Sequence, residues 1–275
     1  MPILVVAATA RELAAALGLA VGQLKGQPQG AVAPVVAHGR EVLACVSGIG
    51  VINSGLALGA ALARCDVSGV VGLGVAGSFD LGAHPVGSVR LVEQEIWPEY
   101  GLLASGWCSA DAAALGFALG QARCSEGCPA GGPADGPVDG LADKALVWDR
   151  LSWDPAVALK RLGLCPGPWV RARSLTVSGV TADHKRAELL RTRHQAELEN
   201  MEGFALAHGC ALAGRPFVEL RAVSNVVGAR PPVSWDLPGA LAGLGQAARR
   251  LFALDRGPGD GNGSRHLKSA NGRKR

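Results

Sequence analysis

Short apolar runs broken by glycine-rich punctuation set the rhythm of this chain. Residues 2–8 (PILVVAA) are apolar throughout, as in a strand buried on both faces, and the polar spacing that follows predicts a helix over 9–17. Extended segments at 31–37 and 41–47 flank a His38-Gly39 turn. Ser47-Gly48-Ile49-Gly50 leads into a small-residue helix at 51–64. A buried strand at 68–73 then ends in Gly72-Leu73-Gly74-Val75-Ala76-Gly77-Ser78, and 86–97 reads as extended. Helices are predicted at 154–162, 183–193, 202–212 and 238–254. Strands at 169–177 and 217–224, with a short one leading into Met201, interleave with them.

Alternating apolar strands and helices predict an α/β fold, with a mixed or parallel central sheet covered on both faces as a three-layer αβα sandwich. Between 120 and 140 the chain carries six Gly and three Pro in 21 residues, the composition of an insertion or loop, not of a core element. Strand–helix alternation resumes beyond it, so residues 1–255 are expected to form one domain. Residues 256–275, rich in Gly and basic groups, are expected to be a disordered tail.

Composition changes this picture in two respects. The 275 residues carry a formal charge of +4, but residues 256–275 hold six of the 27 basic and one of the 23 acidic groups. The rest of the chain is left with 21 basic and 22 acidic residues, so its charge gives no case for nucleic-acid binding. Seven cysteines at irregular spacing fit reduced thiols in a cytoplasmic protein, and the lone Cys124-x3-Cys128 has no second pair with which to hold zinc. Arg11 and Glu12 interrupt the apolar N-terminus where a signal core would be continuous. No apolar run reaches the roughly 20 residues that span a bilayer, so no membrane association is expected.

The candidate chemistry lies in two stretches, Glu199-Asn200-Met201-Glu202-Gly203-Phe204-Ala205 and Glu219-Leu220-Arg221-Ala222-Val223-Ser224-Asn225. The first puts an acid at the mouth of an apolar helix; the second puts an amide at the polar end of an apolar strand. Taken singly, Glu202 reads as helix-end electrostatics, Met201 as core filler, Asn225 as a turn former and Glu12 as a surface acid. The glycine run Gly72-x-Gly74-x-x-Gly77 matches a dinucleotide fingerprint, with Glu93 and Glu95 at a suitable distance. Gly82, Pro85 and Gly87 break the helix that such a site requires, so a tight turn, or bare backbone approaching a sugar or water, fits better.

Four of these segments follow predicted strands closely, and ligands of open α/β sheets gather at the carboxyl ends of strands. Ala7-Ala8-Thr9-Ala10-Arg11-Glu12, Ser47-Gly48-Ile49-Gly50, Gly74-Val75-Ala76-Gly77, Asn200-Met201-Glu202 and Arg221-Ala222-Val223-Ser224-Asn225 occur in that order. The set resembles the purine nucleoside phosphorylase/hydrolase superfamily, especially its hydrolases of 5′-substituted nucleosides, over residues 2–105 and 168–250. The resemblance implies that Glu12 activates the attacking water and that Glu202 holds the ribose 2′- and 3′-hydroxyls with Met201 packed on the sugar. It further implies that Arg221 steadies Glu202 from behind, that Ala76 and Gly77 present backbone to the sugar, and that Val177, Ser224 and Asn225 border the base. No Gly-Asp-Pro-type segment with a phosphate-binding arginine is present, which favours hydrolysis over phosphorolysis. No cofactor is implied, and a homo-oligomer acting on a small-molecule nucleoside is.

Asn225 bears on the leaving group. In the adenine-releasing nucleosidases of the superfamily the matching residue is an aspartate, which suits a 6-aminopurine. An amide can donate to O6 of a 6-oxopurine and accept from protonated N7, whereas a carboxylate would oppose O6. A mismatched polar group in a buried pocket costs about 1–3 kcal/mol. Asn225 therefore points to hypoxanthine. The runs Ser224–Arg230 and Trp235–Leu241 resemble the futalosine hydrolase family in particular, whose 5′ carboxyphenyl group Arg230 could pair with and Trp97 or Tyr100 could border. An adenine-releasing nucleosidase is the enzymatic alternative, and a non-catalytic nucleoside-binding module is the alternative from a different class.

Overall fold

The computed structural model describes residues 1–24, 27–103, 110–123, 125–131, 146–229 and 235–254. Arg230, residues 124 and 132–140 of the 120–140 segment, and the 256–275 tail lie outside the described residues. In chain order the elements are β1 (Ile3–Ala7), α1 (Ala10–Leu17), β2 (Val32–Ala37), β3 (Arg40–Val46), α2 (Val51–Arg64), β4 (Gly69–Ser78) and β5 (Val89–Ile96). The short α3 (Ala112–Leu115), β6 (Gly120–Gln121), β7 (Ala130–Gly131), β8 (Leu146–Val147) and β9 (Arg150–Ser152) follow. The rest are α4 (Pro155–Arg161), β10 (Val170–Thr176), α5 (His184–His194), β11 (Leu198–Asn200), α6 (Gly203–Ala213), β12 (Phe217–Val226) and α7 (Leu237–Leu251).

The central sheet is mixed, and part of it closes on itself. One wing runs β2–β3–β1–β4, with β1 parallel to both neighbours. β4 then pairs with β12 in parallel along one edge and, beyond the end of β1, with β11 antiparallel along the other. β12 continues to β5, β5 to β10 and β10 back to β11, completing a five-strand ring. Right-handed strand twist makes such closure accessible once a sheet curls, and it removes edges on that side.

Helices cover both faces, as the α/β reading requires. On one face Leu13 and Leu17 of α1 pack with Leu244 and Leu251 of α7 over Val5, Val71 and Val218. On the other, Leu58 of α2 and Phe204 and Cys210 of α6 pack over Val6, Val70 and Phe217. β12 is buried at nine of its ten positions, which matches its near-continuous apolar run.

Two sequence expectations need adjustment. The glycine run after 73 is not a turn: β4 continues through it to Ser78, because β12 pairs with it along that whole length. The described part of the 120–140 segment is also tied to the body, with β7 pairing β9 and the Arg123 amide donating to the Ala211 carbonyl at 2.8 Å.

Candidate active site

A cavity of about 300 Å³ opens at the carboxyl ends of β1, β4 and β12, the parallel strands at the centre of the sheet. The chain turns out of β1 into α1 through Thr9, whose side chain caps the helix by accepting from the Glu12 amide at 3.2 Å. Glu12 answers with Oε2, which accepts from the Thr9 amide at 3.0 Å and the Thr9 hydroxyl at 2.7 Å. Its other oxygen, Oε1, accepts from the Val75 amide at 3.0 Å. This carboxylate is buried and faces the cavity, not solvent. Burial raises its pKa above the ordinary glutamate value, against the lowering effect of the Thr9 and Val75 hydrogen bonds, and the nearby Glu202 pushes the same way as burial.

Glu202 precedes α6 but does not cap it. Asn200 Oδ1 accepts from the Glu202 and Gly203 amides at 2.8 and 2.7 Å, and the Thr176 hydroxyl accepts from the Phe204 amide at 2.7 Å. With the first amides of α6 satisfied in this way, the Glu202 side chain is released towards the cavity. Its Oε1 accepts from the Gly50 amide at 3.1 Å, and its Oε2 pairs with Arg221 at 3.2 Å. Arg221, 2% exposed, also donates through Nε to Glu219 at 2.7 Å. Desolvation pulls the guanidinium towards neutrality, but Glu219, Glu202 and Glu95 outweigh it and hold it firmly cationic.

Gly74 explains why this part of β4 lacks side chains. A Cβ there would stand 2.6 Å from Arg221 Nη1 and 3.1 Å from Glu12 Oε1, so the glycine is the floor on which the ion pair and the N-terminal carboxylate converge. Glu95, a candidate ribose acid under the dinucleotide pattern, is instead fully buried behind the site. It accepts from Thr176 at 2.6 Å and Asn200 at 2.7 Å, and burial, with Glu219 adding to it, pushes it up to about 8.

At the other end of the cavity, β12 bulges between Val223 and Asn225, so both Ser224 and Asn225 turn onto the cavity. The Ser224 hydroxyl donates to Asn225 Oδ1 at 2.8 Å, and Asn225 Nδ2 donates to the Val226 carbonyl at 2.9 Å. One N–H and one acceptor lone pair of the amide stay available.

Of the sequence-derived residues, Glu12, Ala76, Gly77, Met201, Glu202, Ser224 and Asn225 line this one cavity, with Arg221 directly behind Glu202. Val177 does not line it. The end of β10 turns that side chain into the core, where it is fully buried while its amide donates to the Asn200 carbonyl; Val180 takes the place on the wall. Trp97 and Tyr100 stack on each other at 5.6 Å, and Trp97 packs on Phe204 at 5.8 Å, neither of them on the cavity wall. Thr9 and Asn200, which the sequence motifs contain without a role, and Thr176, which they omit, orient the two acids. The Thr9-x-x-Glu12 spacing is a capping-box signature and could have signalled the first. Among the described residues no group of three His, Cys, Asp or Glu side chains could hold a metal ion, and no helix is long and apolar enough to cross a membrane.

Residues 2–255 match the family model of the Phosphorylase superfamily. A futalosine hydrolase of Thermus thermophilus is 31% identical over 240 residues, 85% of this chain and 91% of that protein. One from Streptomyces coelicolor is 46% identical over 99 residues, 32% of this chain and 42% of that protein. Among solved structures, the 5′-methylthioadenosine/S-adenosylhomocysteine nucleosidase of Helicobacter pylori aligns with a TM-score of 0.62 at 17% identity, covering 90% of this chain and 97% of that one. The futalosine hydrolase of the same organism aligns with a TM-score of 0.59 at 16% identity over the same shares. Those structural likenesses speak for the fold, while the family model and the Thermus relative span nearly the whole body of the chain. The chain belongs to the Phosphorylase superfamily and, within it, to the futalosine hydrolase family.

Proposed function

We propose that this chain hydrolyses the N-glycosidic bond of futalosine and releases hypoxanthine, in the futalosine route to menaquinone. The observation that carries the reading is one cavity in which two buried, separately anchored carboxylates, Glu12 and Glu202, face an amide, Asn225. Glu202, fixed by Gly50 and Arg221, accepts from the ribose 2′- and 3′-hydroxyls, and Met201 packs against the sugar. Asn225 takes the N7/O6 edge of the purine beside Ser224, with Ala76 and Gly77 as the backbone wall. As the C1′–N9 bond breaks, its electron pair passes to the purine, which gains a proton from solvent at N7. Water oxygen bonds to C1′ and gives its proton to Glu12.

With base and ribose so placed, the 5′ substituent extends towards Ile49, Trp235, Leu237 and Leu241, with the exposed Arg11 at the rim. An apolar slot ending in a cation suits a carboxyphenyl group. Residues 1–255 act as one hydrolase domain, a reading supported by the continuous sheet. Ile49, Ile52 and Leu56, exposed at 56%, 77% and 69% on and just before α2, form an apolar face next to the cavity. Such a face suits a second copy of the chain, and light scattering of the purified protein tests the homo-oligomer. Cys45, Cys65, Cys165 and Cys210 are thiols, not disulfides, in keeping with a reducing cytoplasm.

The test is to incubate the protein with futalosine, inosine and methylthioadenosine in phosphate-free buffer and quantify the released base. Hypoxanthine from futalosine, with little adenine from methylthioadenosine, is the expected result. Adenine as main product sinks the Asn225 argument, and turnover only on adding phosphate sinks hydrolysis.

A further inference from the structure

Glu199 lines the same cavity, is 5% exposed, and has no role in the steps above. One oxygen, Oε1, accepts from the Thr181 amide at 3.0 Å. The other, Oε2, is buried and has no hydrogen-bond partner among the described residues. Buried carboxylate oxygens are rarely left so, because desolvation without a partner is costly, and an exception asks for a ligand.

The sheet register says where that ligand sits. Gly77 of β4 is paired with Glu199 of β11 on one side and with Asn225 of β12 on the other. Side chains paired across neighbouring strands share a face, so Glu199 and Asn225 stand on the same side of the sheet, about 10 Å apart at their Cα atoms, with Gly77 between them in register. A Cβ on Gly77 would enter that gap 3.2 Å from Asn225 Nδ2 and 2.9 Å from Val227 Cγ2.

We propose that Glu199 reads the N1–H of a 6-oxopurine and is a specificity-determining residue for the reaction, beside Asn225; this rests on the functional reading above. In hypoxanthine N1 carries a hydrogen, adjacent to O6, whereas in adenine N1 carries a lone pair. An ionised carboxylate only accepts, so Glu199 pairs with the first and opposes the second. With Asn225 on N7 and O6 and Glu199 on N1, the whole polar edge of the base is matched, and the orphan oxygen of Glu199 gains its partner. Burial raises the Glu199 pKa, with Glu99 pushing the same way, offset in part by the Thr181 hydroxyl and amide and by Arg186.

Glu199→Gln distinguishes this from a structural role. Its carbonyl oxygen can keep the Thr181 amide, which turns its NH2 into the cavity, against N1–H of hypoxanthine and towards N1 of adenine. The measurement is kcat/KM for futalosine and for its 6-amino counterpart, in wild type and variant, with thermal melting as the check on folding. The ratio of the two is expected to fall by about ten- to a hundredfold in the variant. An unchanged ratio, including an equal loss on both substrates, overturns the proposal and leaves the hydrolase reading standing. Absence of base release by the wild type from either substrate overturns both. In parallel, wild-type inhibition by hypoxanthine is compared with that by 1-methylhypoxanthine, which lacks the N1 hydrogen. Equal inhibition overturns the proposal even where the variant does not fold, and weaker inhibition by the methylated base supports it.

Discussion

Glu12 carries two assignments in one side chain: Oε2 closes the capping box of α1 and Oε1 holds the Val75 amide over the cavity. Glu12→Gln keeps the size but cannot accept a proton from water. We expect kcat to fall by about 10²–10⁴-fold with a much smaller change in KM, read from steady-state kinetics. The pH profile follows from the direction of the shift. As the proposed base, Glu12 has to be ionised to act, and burial raises its pKa, so activity is expected to be lost as pH falls through a value above that of an ordinary glutamate. An acid limb at or below the ordinary value would speak against Glu12 as the base. Glu12 stood out in the sequence through its neighbours and the resemblance they carry. Its burial did not, because an acid in the first turn of a helix is usually at the surface, and only the approach of β4 covers it.

At the scale of elements, β4 shows how a strand is fitted around a site. Its glycines read locally as a turn, since they offer no side chains to pack, yet pairing with β1, β11 and β12 holds them extended. Gly74→Ala puts a methyl group 2.6 Å from Arg221 Nη1, so the guanidinium has to leave Glu202 or the strand has to shift. We expect at least a tenfold loss of kcat/KM together with about 1–3 kcal/mol of destabilisation from overpacking, measured by kinetics and denaturant unfolding. Full activity in this variant would show that the Arg221–Glu202 contact does not position the acid. The start of α6 makes the same point from the opposite direction. Glu202 reads as a helix-end acid, but Asn200 and Thr176 take the helix amides and leave Glu202 to the cavity.

On the scale of the whole molecule, the ring of strands encloses Glu95 of β5 with Glu219 and Arg221 of β12, two parts of the chain far apart in sequence. Glu95, pushed up to about 8 by burial and Glu219, holds its proton more tightly folded than unfolded. Its contribution to stability is fully present below the unfolded value near 4.5 and is lost as pH rises through about 8. Glu95→Gln removes that titration. Melting temperature measured from pH 5 to 9 is therefore expected to decline less steeply in the variant than in the wild type. Parallel profiles would mean that Glu95 is ionised throughout.

The sequence alone determined the α/β class, most element positions and the grouping of Glu12, Gly77, Glu202 and Asn225 at strand ends, because apolar periodicity and short motifs are local properties. Tertiary structure decided the closure of the ring, the continuation of β4 through its glycines, the inward turn of Val177 and the burial of Glu95 and Glu199. Each of those depends on which strand lies beside which, a pairing set by long-range hydrogen bonding and packing that no window of sequence contains. Glu199 marks the division most clearly. In sequence it is one more acid before a helix, and only its alignment with Gly77 and Asn225 across two strands brings it to the same cavity as Asn225.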